Sequence, residues 1–280
     1  MDISVAELEL AASPGWRACE EDYLGEWLLR AADGFTGRAN SALAVGDPGL
    51  PLAEAAETVR AWYATRGLTA MIAVPFRCGE RGASRLDRVL DGLGWGVRAD
   101  GATVMTADAG EIAVQARAEF AGRAPASGPV EIDAEPDAAW LARYHYRGAQ
   151  QLPPVALKVL TSAPWQAFAS VRSGGETIAV GRVAGDADWA GLTAIEVDPG
   201  HRRSGLGAAV TAALTAHAAS RGIRNVYLQV ADGNDAARAL YRRIGFTDHH
   251  GYHYRVEPYL SRGAADSLGR GVRPAQLSTG

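Results

Sequence analysis

Short apolar runs alternate with amphipathic stretches throughout the second half of the chain, which is the pattern of an α/β fold. From Gly205 onward, apolar residues recur at i, i+4, i+7 and i+8. They predict a helix that ends at Arg221-Gly222, where glycine follows the last turn. Asn234 or Asp232 is expected to cap a second helix. Its apolar stripe consists of Ala237, Leu240, Tyr241 and Ile244. Strands are predicted at 165–171, 177–183, 192–197, 225–230 and 252–256.

The first half of the chain repeats this order of elements. Strands are predicted at 41–45, 70–74 and 103–106, and helices at 52–63 and 85–93. Three landmarks recur at nearly the same offset. They are the turns at Asp47 and Asp198, Gly67 and Gly222, and Gly94 and Gly245. The offset predicts a tandem repeat of one fold, although any two α/β segments share strand–helix–strand order.

The division of the chain follows from this repeat. We expect a first domain at 1–116 and a second at 130–258. Residues 117–129 are small and turn-rich, which is typical of a linker. The tail at 259–280 has little periodicity and is predicted to be disordered.

Composition and charge exclude several classes of protein. With 28 Lys+Arg against 32 Asp+Glu, the formal net charge is −4, which argues against a nucleic-acid partner. The sequence shows no secretory signal and no transmembrane run, so we expect no membrane association. The two cysteines, Cys19 and Cys78, lack zinc spacing and suit a reducing, cytoplasmic compartment; no metal is expected.

One segment carries a signal for anion binding. Residues 202–207, Arg-Arg-Ser-Gly-Leu-Gly, lie between a predicted strand and the first turn of a helix. Unpaired amides and a positive dipole end favour a phosphate there, and glycines let the backbone approach it. The segment is neither the Walker motif nor the dinucleotide motif. The alternative is an ordinary helix start with solvated arginines. The first half lacks this loop, because Asp47 to Gly67 is a shorter interval than Asp198 to Gly222.

Two motifs in this order resemble the GCN5-related N-acetyltransferase (GNAT) superfamily. Arg202-x-x-Gly205-x-Gly207 is similar to its acetyl-CoA loop, and Asn234 to Phe246 matches N-x-x-A-x-x-x-Y-x-x-x-G-F. The resemblance covers about 129–258. The first half resembles the degenerate partner domain of tandem members. The implied fold is α/β, with two tandem GNAT-like domains, each a mixed central sheet flanked by helices.

The resemblance also implies roles for individual residues. Acetyl-CoA is the expected co-substrate. Amides of the loop would hold its pyrophosphate, and the splayed strand at 195–197 would bind pantetheine. The Val197 amide would polarise the thioester carbonyl, Asn234 would contact the pantetheine arm, and Tyr241 would protonate the leaving thiolate. The expected cofactor-binding residues are Ile195, Val197, Arg202, Arg203, Ser204, Gly205, Leu206, Gly207, Ala208 and Asn234. Core packing is the alternative for Tyr241, and N-capping is compatible with the role of Asn234.

Glu196 is the candidate general base, because several family members carry a base in this strand. Strand alternation puts Leu192, Ala194 and Glu196 on one face and Thr193, Ile195 and Val197 on the other. The alternative is a structural ion pair between Glu196 and Arg182. Other candidates for the acceptor site are Tyr144, His145 and Tyr146. We expect His249, His250 and His253 to be surface histidines, and Trp27, Trp62, Tyr63 and Trp95 to form core or to wall the acceptor pocket.

The resulting hypothesis is an N-acetyltransferase that works by direct attack of an amine in a ternary complex. The expected partner is a small-molecule amine, and the protein is expected to be a monomer or a homodimer. One alternative is a catalytically idle acyl-CoA-binding or regulatory module. A second alternative, motivated by the arginine-glycine loop, is a nucleotide-phosphate binder.

Overall fold

A computed structural model describes residues 3–99, 101–120, 128–145 and 151–258. The α-helices are α1 (Val5–Ala12), α2 (Leu52–Ala64), α3 (Arg85–Gly92), α4 (Ala109–Phe120), α5 (Ala138–Arg143), α6 (Val155–Leu160), α7 (Leu206–Ser220) and α8 (Asp235–Arg243). The strands of the first half are β1 (Glu20–Leu24), β2 (Trp27–Ala31), β3 (Ala42–Leu43), β4 (Met71–Arg77), β5 (Gly96–Val97) and β6 (Ala102–Asp108). Those of the second half are β7 (Val130–Asp133), β8 (Trp165–Ser173), β9 (Glu176–Asp186), β10 (Trp189–Val197), β11 (Asn225–Ala231) and β12 (Thr247–Val256).

The predicted helices and strands are confirmed, and local chemistry explains their ends. Gly205 precedes α7 with φ +88°, and Gly222 follows it with φ +87°, a left-handed conformation that glycine adopts without a Cβ clash. Asn234 caps α8, since its side chain accepts a hydrogen bond from the Ala237 amide at 3.2 Å. The sequence analysis gave no ranges for α1, α4, α5, α6, β1, β2, β5 and β7. Helix α1 begins with a capping box between Ser4 and Glu7.

All described strands join one mixed sheet whose order is β1-β2-β3-β4-β12-β6-β11-β10-β9-β8-β7, with β5 pairing to β12. Within it, β3–β4 and β10–β11 are parallel pairs, and the other pairs are antiparallel. Helices flank the sheet, so the predicted α/β class with a mixed central sheet is confirmed.

The two halves exchange one strand each. Strand β12 of the second half lies between β4 and β6 of the first half, and β6 in turn lies between β12 and β11. The exchange is extensive, because β12 pairs with β4 from His250 to Val256 and β6 pairs with β11 along its whole length. The central strands of each half therefore depend on hydrogen bonds from the other.

One hydrophobic core lies wholly in the first half, and a larger one combines the second half with Met105, Ala107 and Ile112 of the first. Helix α7 packs against the strands of the second half through residues such as Val210 and Leu214, both fully buried. In the first half, Trp27, Tyr63 and Trp95 are buried in one cluster against which Trp62 packs, so these four aromatics form core. A further cluster joins the halves, because Trp16 and Phe35 pack with Trp140 and Phe168 of the second half.

The expectation of surface histidines is wrong for His250 and His253, which are buried. They lie on β12, and the sequence did not indicate that this strand runs through the middle of the sheet. Nε2 of His250 lies 2.8 Å from the Glu9 carboxylate, and Nε2 of His253 lies 2.8 Å from the Asp87 carboxylate. Both partners come from the first half, which explains how these side chains are accommodated in the interior.

Two other features bear on the sequence-based expectations. Helix α4 extends through Phe120 and so includes the first residues of the predicted linker; residues 121–127, Tyr146 and the tail at 259–280 lie outside the described residues. Among the helices that the structure describes, none has the length and apolar character needed to cross a bilayer.

Candidate active site

The central feature of the site is a gap between β10 and β11. These strands pair in parallel only as far as Leu192 opposite Leu228. Beyond that point β10 stays with β9, up to Val197 opposite Ala179, while β11 stays with β6, up to Ala231 opposite Ala102. The two strands therefore diverge, and backbone groups at 194–197 are available to a ligand on the side facing β11.

A β-bulge accompanies the divergence. The pairing register of β10 with β9 shifts between Thr193 and Glu196, and Ala194 has φ +54°, which is unusual for a residue with a Cβ. The predicted alternation is wrong across this point. Leu192 packs in the same cluster as Ile195 and Val197, whereas Ala194 packs in the cluster that joins the two halves. The bulge adds one residue to the strand and so changes which face each later side chain occupies.

The arginine-glycine loop lies at the end of β10, as predicted. Gly205 provides no side-chain cap, and the first helical hydrogen bond of α7 runs from the Ala209 amide to the Gly205 carbonyl. The amides of Leu206, Gly207 and Ala208 are therefore left for an external acceptor. Arg202 and Arg203 are exposed beside them. The loop is braced by Asp198, whose carboxylate lies 2.8 Å from Arg143 and accepts a hydrogen bond from the Gly200 amide.

Close packing brings α8 to the same place. A Cβ on Gly207 would lie 3.3 Å from Leu240 of α8 and 3.8 Å from Val197 of β10. The start of α7, the end of β10 and the middle of α8 therefore meet. Unpaired amides, exposed arginines and an adjoining gap between strands suit the pyrophosphate and pantetheine arm of a coenzyme A thioester. The residues present fit the co-substrate that the sequence implied.

Tyr241 lies on α8, next to Leu240, and is 8% exposed. Its ring packs edge-on against Phe246, with the centroids 5.8 Å apart. Burial raises the pKa of its hydroxyl to about 12, so the group is protonated at neutral pH. Within the described residues, its hydroxyl has no hydrogen-bond partner. Core packing and a role as proton donor are therefore compatible for this residue.

Glu196 forms a pair with His145. Its carboxylate accepts a hydrogen bond from the His145 amide at 2.7 Å and lies 3.1 Å from the ring Nδ1. The alternative ion pair with Arg182 is wrong, because Arg182 is buried and donates instead to the Leu160 and Gly15 carbonyls. Burial lowers the pKa of Arg182 to about 9. Sequence reasoning named both Glu196 and His145 but did not pair them.

The pair faces a cavity of about 380 Å³ that both halves line. Tyr144, His145 and Glu196 belong to the second half, whereas Trp16, Thr36 and Arg38 belong to the first. The first half does wall the pocket, but through a loop rather than through the predicted aromatics. No periodic signal marks the segment from Phe35 to Arg38, so sequence reasoning missed these residues. Four predicted positions, Ile195, Glu196, Tyr144 and His145, share this one cavity.

Similarity to known proteins extends over most of the chain. Residues 3–255 match the family described as "Probable histone acetyltransferase Rv0428c C-terminal". The chain is 30% identical over 268 residues to the "Probable histone acetyltransferase Rv0428c" of Mycobacterium tuberculosis, covering 93% of this chain and 76% of that protein. It is 27% identical over 256 residues to the "Uncharacterized N-acetyltransferase YobR" of Bacillus subtilis, covering 90% of this chain and 98% of that protein.

Among solved structures, the fold is similar to that of a GCN5-related N-acetyltransferase from Kribbella flavida. The TM-score is 0.62 at 20% sequence identity, and the match covers 92% of this chain and 97% of that chain. The similarity in fold therefore extends over both halves of the chain.

Proposed function

The chain belongs to the family described as "Probable histone acetyltransferase Rv0428c C-terminal" and is a tandem member of the GNAT superfamily. We propose on this basis that it is an N-acetyltransferase that transfers the acetyl group directly from donor to acceptor. The acetyl donor is acetyl-CoA and the acceptor is a small amine. The observation that carries the proposal is the joining of a phosphate-binding helix start, a gap between strands and a carboxylate-lined cavity at the end of β10.

Backbone groups make most of the proposed contacts to acetyl-CoA. In our proposal the amides from Arg203 to Ala208 hold the pyrophosphate, and Arg202 and Arg203 add charge. Backbone groups of Ile195 and Val197 bind the pantetheine arm in the gap, where β11 leaves them unpaired. Asn234 contacts the same arm from the start of α8 while it caps the helix.

The chemistry then needs three groups. Glu196 removes a proton from the acceptor ammonium or from the attacking amine, directly or through water, and His145 fixes its carboxylate. The amine nitrogen forms a bond to the thioester carbonyl carbon, and the Val197 amide stabilises the oxyanion. The carbon–sulfur bond breaks as the nitrogen gives up its excess proton to solvent; Tyr241 protonates the leaving thiolate and regains its own proton from solvent.

The domain organisation and cellular setting are part of the proposal. We place the catalytic domain at 130–258, the degenerate partner at 1–116, the linker at 117–129 and a tail at 259–280. The core confined to the first half and the loop found only in the second half support this division. We propose a cytoplasmic monomer or homodimer; the exposed free thiols of Cys19 and Cys78 suit a reducing compartment.

The proposed function is tested by acetyl-CoA consumption over a panel of amines, with calorimetry of acetyl-CoA and ATP beside it. We expect CoA release that depends on an amine and tighter binding of acetyl-CoA than of ATP. Binding of acetyl-CoA without transfer to any amine would favour the idle module, and tighter binding of ATP would favour the nucleotide-phosphate binder.

Replacing Tyr241 with Phe tests the proton donor. A thiolate is already a fair leaving group, since thiols ionise near pH 8.5, so we expect kcat to fall only about 10- to 30-fold. The acetyl-CoA dissociation constant should change little, because the ring keeps its packing against Phe246. Steady-state kinetics and calorimetry check both parts. A kcat equal to that of the wild type would restrict Tyr241 to core packing.

Replacing Arg202 and Arg203 together with Ala tests the anion loop. Because both side chains are exposed, each contact is screened, and we expect the dissociation constant of acetyl-CoA to rise about 5- to 10-fold. The difference in acetyl-CoA affinity between the variant and the wild type should become smaller as the salt concentration rises. Calorimetry at two ionic strengths measures it. The matched control is Arg88→Ala, an exposed arginine of α3, which should leave the dissociation constant unchanged.

A further inference from the structure

We propose that the acceptor carries a carboxylate in addition to its amine, and that Arg38 binds this carboxylate in the cavity while the amine faces Glu196. The inference rests on the proposed function and names the acceptor class: a small amino carboxylate such as an amino acid. It comes from a residue of the first half that the resemblance does not assign.

Arg38 is a cation at the cavity wall, with its guanidinium carbon 6.0 Å from the centroid of the Trp16 ring. It lines the cavity together with Thr36 and Trp16. Its Nη1 is buried and, within the described residues, makes no hydrogen bond, nor does any carboxylate there lie within 4.0 Å of the guanidinium. A buried donor of this kind is costly unless an acceptor is supplied. The charge of Arg38 is therefore not neutralised by a contacting carboxylate of the described residues, which leaves it able to attract an anionic group bound in the cavity.

The carboxylates nearest to this wall are already engaged. Glu196 is bonded to His145, and Glu9, which shares a small internal cavity with Arg38, is bonded to His250. Burial alone would raise the pKa of Glu9, but its hydrogen bond with His250 and the charges of Arg38 and Arg30 hold the pKa below its ordinary value. Glu9 therefore stays ionised and helps to keep Arg38 in place without contacting it.

The loop that presents Arg38 is held rigidly. The Asn40 side chain accepts hydrogen bonds from the Ala32 and Gly34 amides, both at 2.9 Å. It also donates to the Phe35 and Thr36 carbonyls at 2.7 and 2.9 Å. Thr36 has φ +62°, a strained conformation that persists only where the surroundings enforce it. Such strain is typical of binding sites, where it fixes the position of a neighbouring side chain.

The cavity has the size and the polarity of a site for a small bifunctional molecule. Its volume of about 380 Å³ is close to that of a dozen waters and lies at the small end of ligand sites. A guanidinium on the wall from the first half and a carboxylate on the wall from the second half match a carboxylate and an amine of one ligand. A planar guanidinium also suits the two oxygens of a carboxylate.

A series of acceptors of increasing chain length tests the proposal. Glycine, β-alanine, γ-aminobutyrate and 5-aminovalerate are compared with their carboxamides, with alkylamines of equal length and with aminoalkyl phosphonates, together with common α-amino acids. We expect kcat/KM for the best amino carboxylate to exceed that of its carboxamide about 10- to 100-fold, the range of one charge-assisted hydrogen bond. A ratio near one, or a clear preference for phosphonates, would overturn the carboxylate assignment.

The variant Arg38→Met should bring this ratio close to one, and Arg38→Lys should retain part of it. Arg224→Met is the matched control, because Arg224 is exposed and lies outside the cavity; it should keep the wild-type ratio. An equal loss on charged and uncharged acceptors in Arg38→Met would make Arg38 structural and contradict the proposal. Unfolding curves of the variants confirm that they fold.

Failure of the proposed function is distinguishable from failure of this inference. If no amine of any kind consumes acetyl-CoA, the transferase proposal fails. Calorimetry of the same series of compounds with CoA-loaded protein then still tests whether Arg38 binds the carboxylate. Binding of amino carboxylates that Arg38→Met weakens about 10-fold or more supports the anion site, and equal binding by both proteins overturns it.

Discussion

Replacing Glu196 with Gln is expected to lower kcat/KM for acetyl transfer at neutral pH by about 10²- to 10⁴-fold, the range of general base catalysis. The amine acceptor is protonated at this pH and must lose its proton before it can attack. Glutamine has the shape of glutamate but cannot accept that proton. Its side-chain oxygen can still accept the hydrogen bond that the His145 amide donates to Glu196 at 2.7 Å, so the local structure is kept.

Steady-state kinetics across a pH series measures the effect. The activity of the variant should recover as the pH rises toward the pKa of the acceptor amine, because free amine then no longer requires a base. Acetyl-CoA affinity, measured by calorimetry, should stay within about twofold, since the donor is bound by backbone groups. Glu176→Gln, at an exposed turn, is the matched control. A kcat/KM within threefold of the wild type would assign the proton transfer to another group.

His145→Ala separates positioning from proton transfer. If His145 only orients Glu196, the variant should lose less than Glu196→Gln and keep the same pH profile. A loss equal to that of Glu196→Gln, with a changed profile, would show that the two residues act as a unit.

Replacing Asp87 with Ala is expected to reduce the free energy of unfolding by about 3–5 kcal/mol, the cost of removing one partner from a buried ionic group. Asp87 is fully buried. It lies 2.8 Å from Nε2 of His253 and 3.5 Å from Arg255, both buried on β12. Without the carboxylate, the charge of Arg255 has no buried counterion. Denaturant unfolding followed by circular dichroism measures the loss.

Asp91→Ala is the matched control for this prediction. Asp91 also contacts Arg255, but its side chain is 65% exposed, so its removal should cost less than about 1 kcal/mol. If Asp87→Ala cost no more than Asp91→Ala, the buried network would not stabilise the fold as we argue.

The contribution of Asp87 to the free energy of unfolding should depend on pH. Burial alone would raise the pKa of Asp87, but hydrogen bonds with His253 and Ser84 and the charge of Arg255 hold the pKa below its ordinary value. The stabilisation is therefore complete above the ordinary aspartate pKa and is lost as the pH falls through the lowered folded-state pKa. The difference in stability between wild type and Asp87→Ala should accordingly narrow in acid.

The sequence predicted the local elements well, because helix α7 and its glycine stops follow from short-range chemistry. The residue pattern at 202–207 indicated a candidate anion loop, and the resemblance to the GNAT superfamily identified the α8 motif. The pairing partners of β12 could not be predicted, since its burial depends on strands about 140 to 185 residues earlier in the chain. For the same reason the buried histidines were misjudged: their carboxylate partners, Glu9 and Asp87, are distant in sequence.

At the candidate site, sequence reasoning identified Glu196 and His145 as separate candidates, and the fold brings them together. The β-bulge at Ala194 was not predictable, because alanine carries no preference for a left-handed conformation. Arg38 could not be predicted as a site residue for a different reason. An arginine in a single 3₁₀ turn (Arg38–Asn40) has no periodic context, and the packing of Trp16 and Phe35 against the second half brings that turn to the cavity.

The exchanged strands also constrain how the protein folds as it is synthesised. The first half leaves the ribosome first, but the place between β4 and β6 stays open until β12, the last described strand, has been made. Until then β4 and β6 expose unpaired backbone edges, which favour association between chains. Nascent chains that end before residue 247 should therefore need protection by a chaperone, because the native sheet closes only after β12 has been synthesised.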